Sequence, residues 1–239
     1  MAPRRLLFGL DFRTWPGGCL GMIATVPAKS HAVLDPNTCR RAVRHLRRCD
    51  PVLARVLDAV GPCRYQRRTQ GTPFAQLLRA ILYQQISGKA AASIHARLVQ
   101  HVGRAWPRPQ DIQAASDTDL RAVGLSRQKI VYLRDLAQQA LDGLPLHRLA
   151  RMDDDAVVEA LTRVKGIGRW TAEMYLMFRL GRPDVLPVDD YGIRKAMQRA
   201  YRKRELPQPD WMRRKAEDWR PYRSLACWYL WRSLDVKVP

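Results

Sequence analysis

The sequence predicts an all-α protein, and three observations carry that reading. From Pro36 onward, apolar residues recur at spacings of three and four, stretch after stretch, which places them on one face of a helix. Residues able to cap a helix stand before these stretches, and Gly or Pro after them. Beyond residue 36 no run alternates apolar and polar residues over the length of a strand. The expected plan is two helical lobes with a cleft between them.

The elements follow in order. Asn37-Thr38 can cap a helix carrying Val43 and Leu46. Asp50-Pro51 opens a second, with Val52, Leu53, Val56, Leu57 and Val60 at helical spacing, closed by Gly61-Pro62. Thr72-Pro73 starts a third with Phe74, Leu77, Leu78, Ile81 and Leu82 inward; it breaks at Ser87-Gly88, and KAAASIHARLVQHV continues as the next. Ser116-x-x-Asp119 reads as a capping box before a short helix ending at Gly124. A longer helix carries Ile130, Leu133, Leu136, Ala137 and Leu141 and stops at Gly143. DDDAVVEALTRV and RWTAEMYLMFRL form a pair around Lys165-Gly166-Ile167-Gly168. A loop with Gly181, Pro183 and Pro187 then delivers Asp189 and Asp190 to a helix carrying Ile193, Ala196, Met197 and Ala200. The C-terminal segment sets Leu225, Trp228 and Trp231 or Arg232 on neighbouring turns.

The chain has 239 residues, 46% hydrophobic, which suffices for one large domain or two small packed ones. Its formal net charge of +20 favours a polyanionic partner, with nucleic acid leading and an Arg-rich composition the plainer explanation. The basic segment at residues 63–68 then reads as a linker or a DNA-facing loop. No apolar run approaches the roughly 20 residues of a membrane span, so no membrane partner is expected. Residues 1–35 are expected to be an extension of unassigned role, disordered or a small packed piece, before a domain at 36–239; Asp11 and a short apolar stretch argue against a secretory signal. The five cysteines form no C-x-x-C pair, so neither zinc nor a disulfide framework is indicated, and reduced thiols fit a cytoplasmic, nucleoid-associated protein.

The G-x-G turn carries chemistry. Gly166 and Gly168 permit positive φ and leave no Cβ in the way of a phosphate. The following helix offers unpaired N–H groups and the positive end of its dipole. Hairpin amides and Thr171 could hold one phosphate without reading sequence, with Lys165 and Arg169 adding charge. G-x-G alone would equally suit an ordinary tight turn; the distal aspartate and the context favour DNA. Gly124-Leu125-Ser126 lacks the second glycine and reads as a packing turn.

Five segments resemble the 3-methyladenine DNA glycosylase II family (AlkA type) of helix-hairpin-helix glycosylases. They are PFAQLLRAILYQQISGKAA (73–91), GLSRQK (124–129), VKGIGRWTAEMY (164–175), VLPVDDYGIRKA (185–196) and AEDWRPYRSLACWYLW (216–231). The resemblance implies that a damaged base is flipped out of duplex DNA and its glycosidic bond hydrolysed, leaving an abasic site. The family's catalytic aspartate falls at Asp190, and Asp189 is left as a helix cap or support. A carboxylate in a water-poor cleft stabilises the oxocarbenium-like sugar and can orient water. Trp170 and Trp231 match the family's pocket aromatics, with Tyr83 and Tyr175 as further candidates; each could instead be plain core. Met174 stands where some relatives have an aromatic residue. Bifunctional relatives carry a lysine near Trp170, so a monofunctional enzyme is implied. Gln85 resembles the wedge that fills the hole left by a flipped base. A cluster of four C-terminal cysteines is missing, so no iron–sulfur centre, other metal or cofactor is expected, and a monomer is. A glycosylase for another lesion class and a non-catalytic helix-hairpin-helix DNA-binding protein are the alternatives.

Overall fold

The computed structural model describes residues 33–236. These form twelve α-helices and no strand. They are α1 (Pro36–Cys49), α2 (Pro51–Val60), α3 (Pro73–Tyr83), α4 (Gly88–Val102), α5 (Pro109–Ala114), α6 (Asp117–Ala122), α7 (Arg127–Leu141), α8 (Asp154–Thr162), α9 (Arg169–Tyr175), α10 (Tyr191–Ala200), α11 (Pro209–Lys215) and α12 (Arg223–Ser233). A 3₁₀ turn (Leu149–Arg151) precedes α8, and a π-helical turn (Leu176–Leu180) continues α9. The described residues divide into two compact units, residues 70–168 and residues 33–69 with 169–236. The expectation for residues 1–35 lies almost wholly outside the described residues.

Side-chain caps set most helix starts. Asp50 accepts from the amides of Val52 and Leu53 at 2.9 and 3.1 Å. Thr72, Ser87 and Ser126 do the same for α3, α4 and α7. Each cap satisfies an orphan N–H and contributes about 1 kcal/mol. The first helix starts earlier than Asn37-Thr38 suggested. Asp35 accepts from the Thr38 amide at 2.6 Å, and Pro36 fills the first turn, where a missing N–H costs nothing.

In the first unit α7 is the centre, with α3, α5 and α6 packed on it. Leu77, Leu78, Ile81, Ile112, Leu120, Leu133 and Leu136 are fully buried there. Cations on α7 close the ends of its neighbours. Lys129 donates Nζ to the Leu82 carbonyl at 2.5 Å, bracing the last turn of α3. Arg134 donates to the Gln113 and Ala115 carbonyls at 2.9 and 2.7 Å at the end of α5.

In the second unit α12 is apolar almost all round, with Ser224 through Leu230 buried. A helix without a polar face belongs in the middle of a core, and α1, α2 and α10 pack against it. One buried charge is built into this core. Asp50 receives Nε1–H of Trp219 at 2.9 Å, the Tyr201 hydroxyl at 2.5 Å and Lys215 Nζ at 2.9 Å. Burial pushes its carboxyl up, but the bonds from Tyr201, Trp219 and Lys215 win and hold it below the ordinary value.

Candidate active site

The loop that delivers Asp190 is anchored in the second unit. It leaves the π-helical turn through Gly181, which is left-handed at φ 73°. A Cβ there would come within 2.7 Å of Arg67 and 2.9 Å of Val33. The start of α12 then pins the loop. Ser224 Oγ donates to the Arg182 carbonyl at 2.7 Å and accepts from the Val185 amide at 2.9 Å. Arg223 and Arg220 grip Asp184 at 2.7 and 2.6 Å. Loop and helix therefore hold the end of the segment in one place, with Asp189 exposed and Asp190 buried.

Asp190 caps α10 and is held by three N–H donors. Oδ1 accepts from the Ile193 amide at 2.7 Å and from Trp231 Nε1 at 2.9 Å. Oδ2 accepts from Trp170 Nε1 at 2.6 Å. A carboxylate oxygen has about two acceptor directions. Among the described residues Oδ1 has both filled and Oδ2 one. The carboxylate keeps one direction for a water or a developing cation, and its orientation is fixed by neutral donors. Gly192 makes this possible, because a Cβ on it would lie 3.0 Å from the Trp231 ring and 3.1 Å from Oδ1.

The structure thus brings Trp170, Trp231 and Asp190 together. The two tryptophans reach the aspartate by their N–H edges, an orientation the sequence did not indicate. Trp231 also closes an aromatic row, 5.8 Å from Phe178, which stacks on Tyr65 at 6.0 Å. Met174 is partly exposed beside these residues in sequence, whereas Tyr175 is buried. Two residues of this region escaped the sequence reading. Tyr191 follows Asp190 and is 61% exposed, an aromatic ring kept at the surface at the first position of α10. Glu173 is buried and accepts from Arg169 Nε at 3.1 Å. Burial pushes its carboxyl up to about 7, against the opposing charge of Arg169 and with help from Asp189 and Asp190. A Glu in mid-helix gives no sequence signal that it points inward.

The hairpin glycines lie in the first unit with Tyr83 and Gln85. Gly166 is left-handed at φ 83°, and a Cβ there would run into the Tyr132 ring. Its carbonyl accepts from Gln84 Nε2 at 2.8 Å, tying the turn after α3 to the hairpin. Ile167 is buried and fixes the turn from inside. Gly168 has open space around its Cβ position. Lys165 is paired to Asp135, by its amide at 2.8 Å and its Nζ at 3.5 Å. Lys165, Gly168 and Arg169 are exposed, while Thr171 is buried. Gln85 is exposed and left-handed at φ 59°, a strained position for a residue with a Cβ. Tyr83 has the Arg79 guanidinium over its ring at 4.1 Å. Among the described residues no cluster of three metal-ligating side chains occurs, and no helix is long and apolar enough to cross a membrane.

An all-α fold with helix, G-x-G hairpin, helix, Gly/Pro loop and helix-capping aspartate defines the helix-hairpin-helix base-excision class. Residues 78–221 match the HhH-GPD superfamily base excision DNA repair proteins, and the chain belongs to that family. It is 35% identical over 198 residues to DNA-3-methyladenine glycosylase 1 of Schizosaccharomyces pombe, spanning 81% of this chain and 86% of that one. It is 33% identical over 198 residues to DNA-3-methyladenine glycosylase 2 of Escherichia coli, spanning 77% and 66%. The solved structure of the Schizosaccharomyces pombe 3-methyladenine DNA glycosylase in complex with abasic DNA is similar, with a TM-score of 0.74, 34% identity, and coverage of 83% and 98%. A DNA-3-methyladenine glycosidase from Bacillus halodurans gives 0.73 at 35% identity, covering 80% and 88%.

Proposed function

We propose that this chain is a monofunctional DNA glycosylase that hydrolyses the N-glycosidic bond of alkylated purines in duplex DNA and leaves an abasic site. The observation that carries this is the held Asp190 carboxylate, with one acceptor direction left on Oδ2. Cleaving a purine glycosidic bond builds positive charge on the sugar, and a fixed carboxylate offers it stabilisation without reorganising. A water accepted by Oδ2 would be oriented for attack on the same centre. An N3- or N7-alkylated purine already carries positive charge and leaves without a strong general acid.

The names of the relatives support this substrate class. Absence of lyase chemistry rests on Trp170, whose N–H is committed to Asp190. The nearest lysine in sequence, Lys165, is paired to Asp135. DNA contact is assigned to the exposed Lys165, Gly168 and Arg169, and Gln85 to the gap left by the flipped base. Buried Thr171 would support the turn from within rather than reach a phosphate with its hydroxyl. Trp231, Met174, Tyr175 and Tyr83 are assigned more weakly to the pocket.

The test is base release from duplexes carrying one 3-methyladenine, 7-methylguanine, hypoxanthine or 8-oxoguanine. Release is expected from the alkylated purines, with the strand intact until alkali and no borohydride-trapped adduct. Asp190→Asn should retain binding and lose about 10²–10³-fold in turnover, and Asp189→Asn far less. Release only from another lesion would move the substrate class. Binding with no release from any lesion would make the chain a DNA-binding module.

A further inference from the structure

The cysteines are scattered in sequence, but folding of the second unit brings two of them together. Cys39 is on the first turns of α1, and Cys63 follows the end of α2. Both stand on the wall of one cavity, near enough for each thiol to shift the other's titration, and the Tyr229 hydroxyl on the same wall donates to the Gly61 carbonyl at 3.2 Å. Both are free thiols. Cys39 is buried and Cys63 half-buried, and both line an open cavity of about 1190 Å³. Arg40, Arg44, Arg47 and Arg67 stand on the walls of the same cavity. Neither thiol belongs to the Asp190 site, and no third metal-ligating side chain joins them among the described residues.

We infer that Cys39 and Cys63 form a thiol–disulfide exchange site that takes anionic low-molecular-weight disulfides. Two thiols side by side on one cavity wall need only a small displacement to bond, and four guanidiniums against the two carboxylates of Asp35 and Asp58 leave the open cavity net positive, which favours a reagent carrying carboxylates. Cys63 is the attacking group. It is the more accessible, and the neighbouring Cys39 thiol lowers it to about 7 despite burial, whereas the Cys63 thiol and burial push Cys39 up. The Cys63 thiolate attacks one sulfur of RS–SR, forming a Cys63–SR mixed disulfide and releasing RS⁻, which takes up a proton. The Cys39 sulfur, giving its proton to solvent, then attacks Cys63 and expels the second RS⁻. Two protein thiols lose two electrons and two protons, and one small disulfide becomes two thiols. The product bond joins α1 to the segment after α2. In a reducing compartment such a bond is transient, which suits redox sensing rather than permanent bracing.

The experiment treats the folded full chain with oxidised glutathione, quenches with a maleimide in denaturant so that buried thiols are also reached, and maps peptides without reduction. The expected product is a Cys39–Cys63 disulfide, with Cys49 and Cys227 alkylated. Cys39→Ala should stop at a glutathione adduct on Cys63, and Cys63→Ala should give neither product; circular dichroism confirms that both variants fold. Oxidised glutathione should react at least several-fold faster than neutral hydroxyethyl disulfide at low salt, with the advantage falling as salt rises. Full alkylation of Cys39 and Cys63 after oxidation, or an adduct confined to Cys49, would overturn the site. Equal rates with the two reagents would overturn its preference for anions.

Discussion

Trp170 donates its indole N–H to Oδ2 of Asp190 at 2.6 Å, across 20 residues of chain. Oδ2 has no other donor among the described residues, whereas Oδ1 has two. The two tryptophans are therefore not equivalent. Trp170→Phe keeps a ring and removes the sole donor to Oδ2. A hydrogen bond to a charged group contributes about 1.5–3 kcal/mol, so base release should slow about 10- to 100-fold under single-turnover conditions. Trp231→Phe leaves the Ile193 amide on Oδ1 and should cost less. If the two substitutions were equally harmful, the rings themselves, by stacking on the base, would carry the effect.

Gly192 gives a sharper version of the same question. Its φ is ordinary, and in α10 an alanine would gain about 1 kcal/mol of helix propensity. The added Cβ would nevertheless sit 3.0 Å from Trp231 and 3.1 Å from Asp190 Oδ1. Gly192→Ala should leave the melting temperature near that of the parent while turnover falls several-fold, because the clash displaces the donor and not the helix. Thermal melts and single-turnover rates on one preparation separate the two. Unchanged turnover would show that the Trp231 contact is not used in the reaction.

Glu173 links the same region to pH. Burial raises its carboxyl from 4.5 to about 7 in the folded chain. The folded state then binds this proton more tightly than the unfolded state does. The favourable contribution is complete below the unfolded value and is lost as pH rises towards about 7. Glu173→Gln mimics the neutral form and removes that dependence. Denaturant melts should show the variant gaining on the parent between pH 4.5 and 8, by up to about 3 kcal/mol. A gap that stayed constant across that range would mean the carboxyl is not the group that takes up the proton.

Most of the helices were legible because apolar spacing and end signals agree along them. Asp50, Thr72, Ser87 and Ser126 stand where the structure uses them. α5 and α11 are too short to show a period and begin after Arg108 and Gln208, without the Ser-x-x-Asp cap that marks the equally short α6. The Gly/Pro loop pointed to Asp189 and Asp190 as a pair, and only resemblance singled out Asp190, Trp170 and Trp231, which the structure brings together. Their orientation was not, because it depends on partners 20 and 41 residues away. Gly192 and Glu173 gave no signal, since a glycine in a helix and a glutamate in a helix look like surface choices until their neighbours are known.

The hairpin glycines also part company. Sequence reasoning gave both the same purpose, room for a phosphate. In the structure Gly166 is left-handed, and its missing Cβ is filled by the Tyr132 ring, while nothing lies within 4 Å of the Cβ position of Gly168. Gly166→Ala should therefore act through the fold. It strains the backbone and drives a methyl into Tyr132, costing about 1–3 kcal/mol, and it disturbs the carbonyl that holds Gln84. Gly168→Ala should leave stability within about 0.5 kcal/mol and weaken DNA binding alone. The loss should be the same for damaged and undamaged duplex, because a phosphate contact carries no base information. Melting curves and binding isotherms at two salt concentrations make the comparison. A Gly168→Ala protein that kept full affinity for both duplexes would reduce the hairpin to a structural turn, leaving DNA attraction to the basic residues elsewhere on the chain.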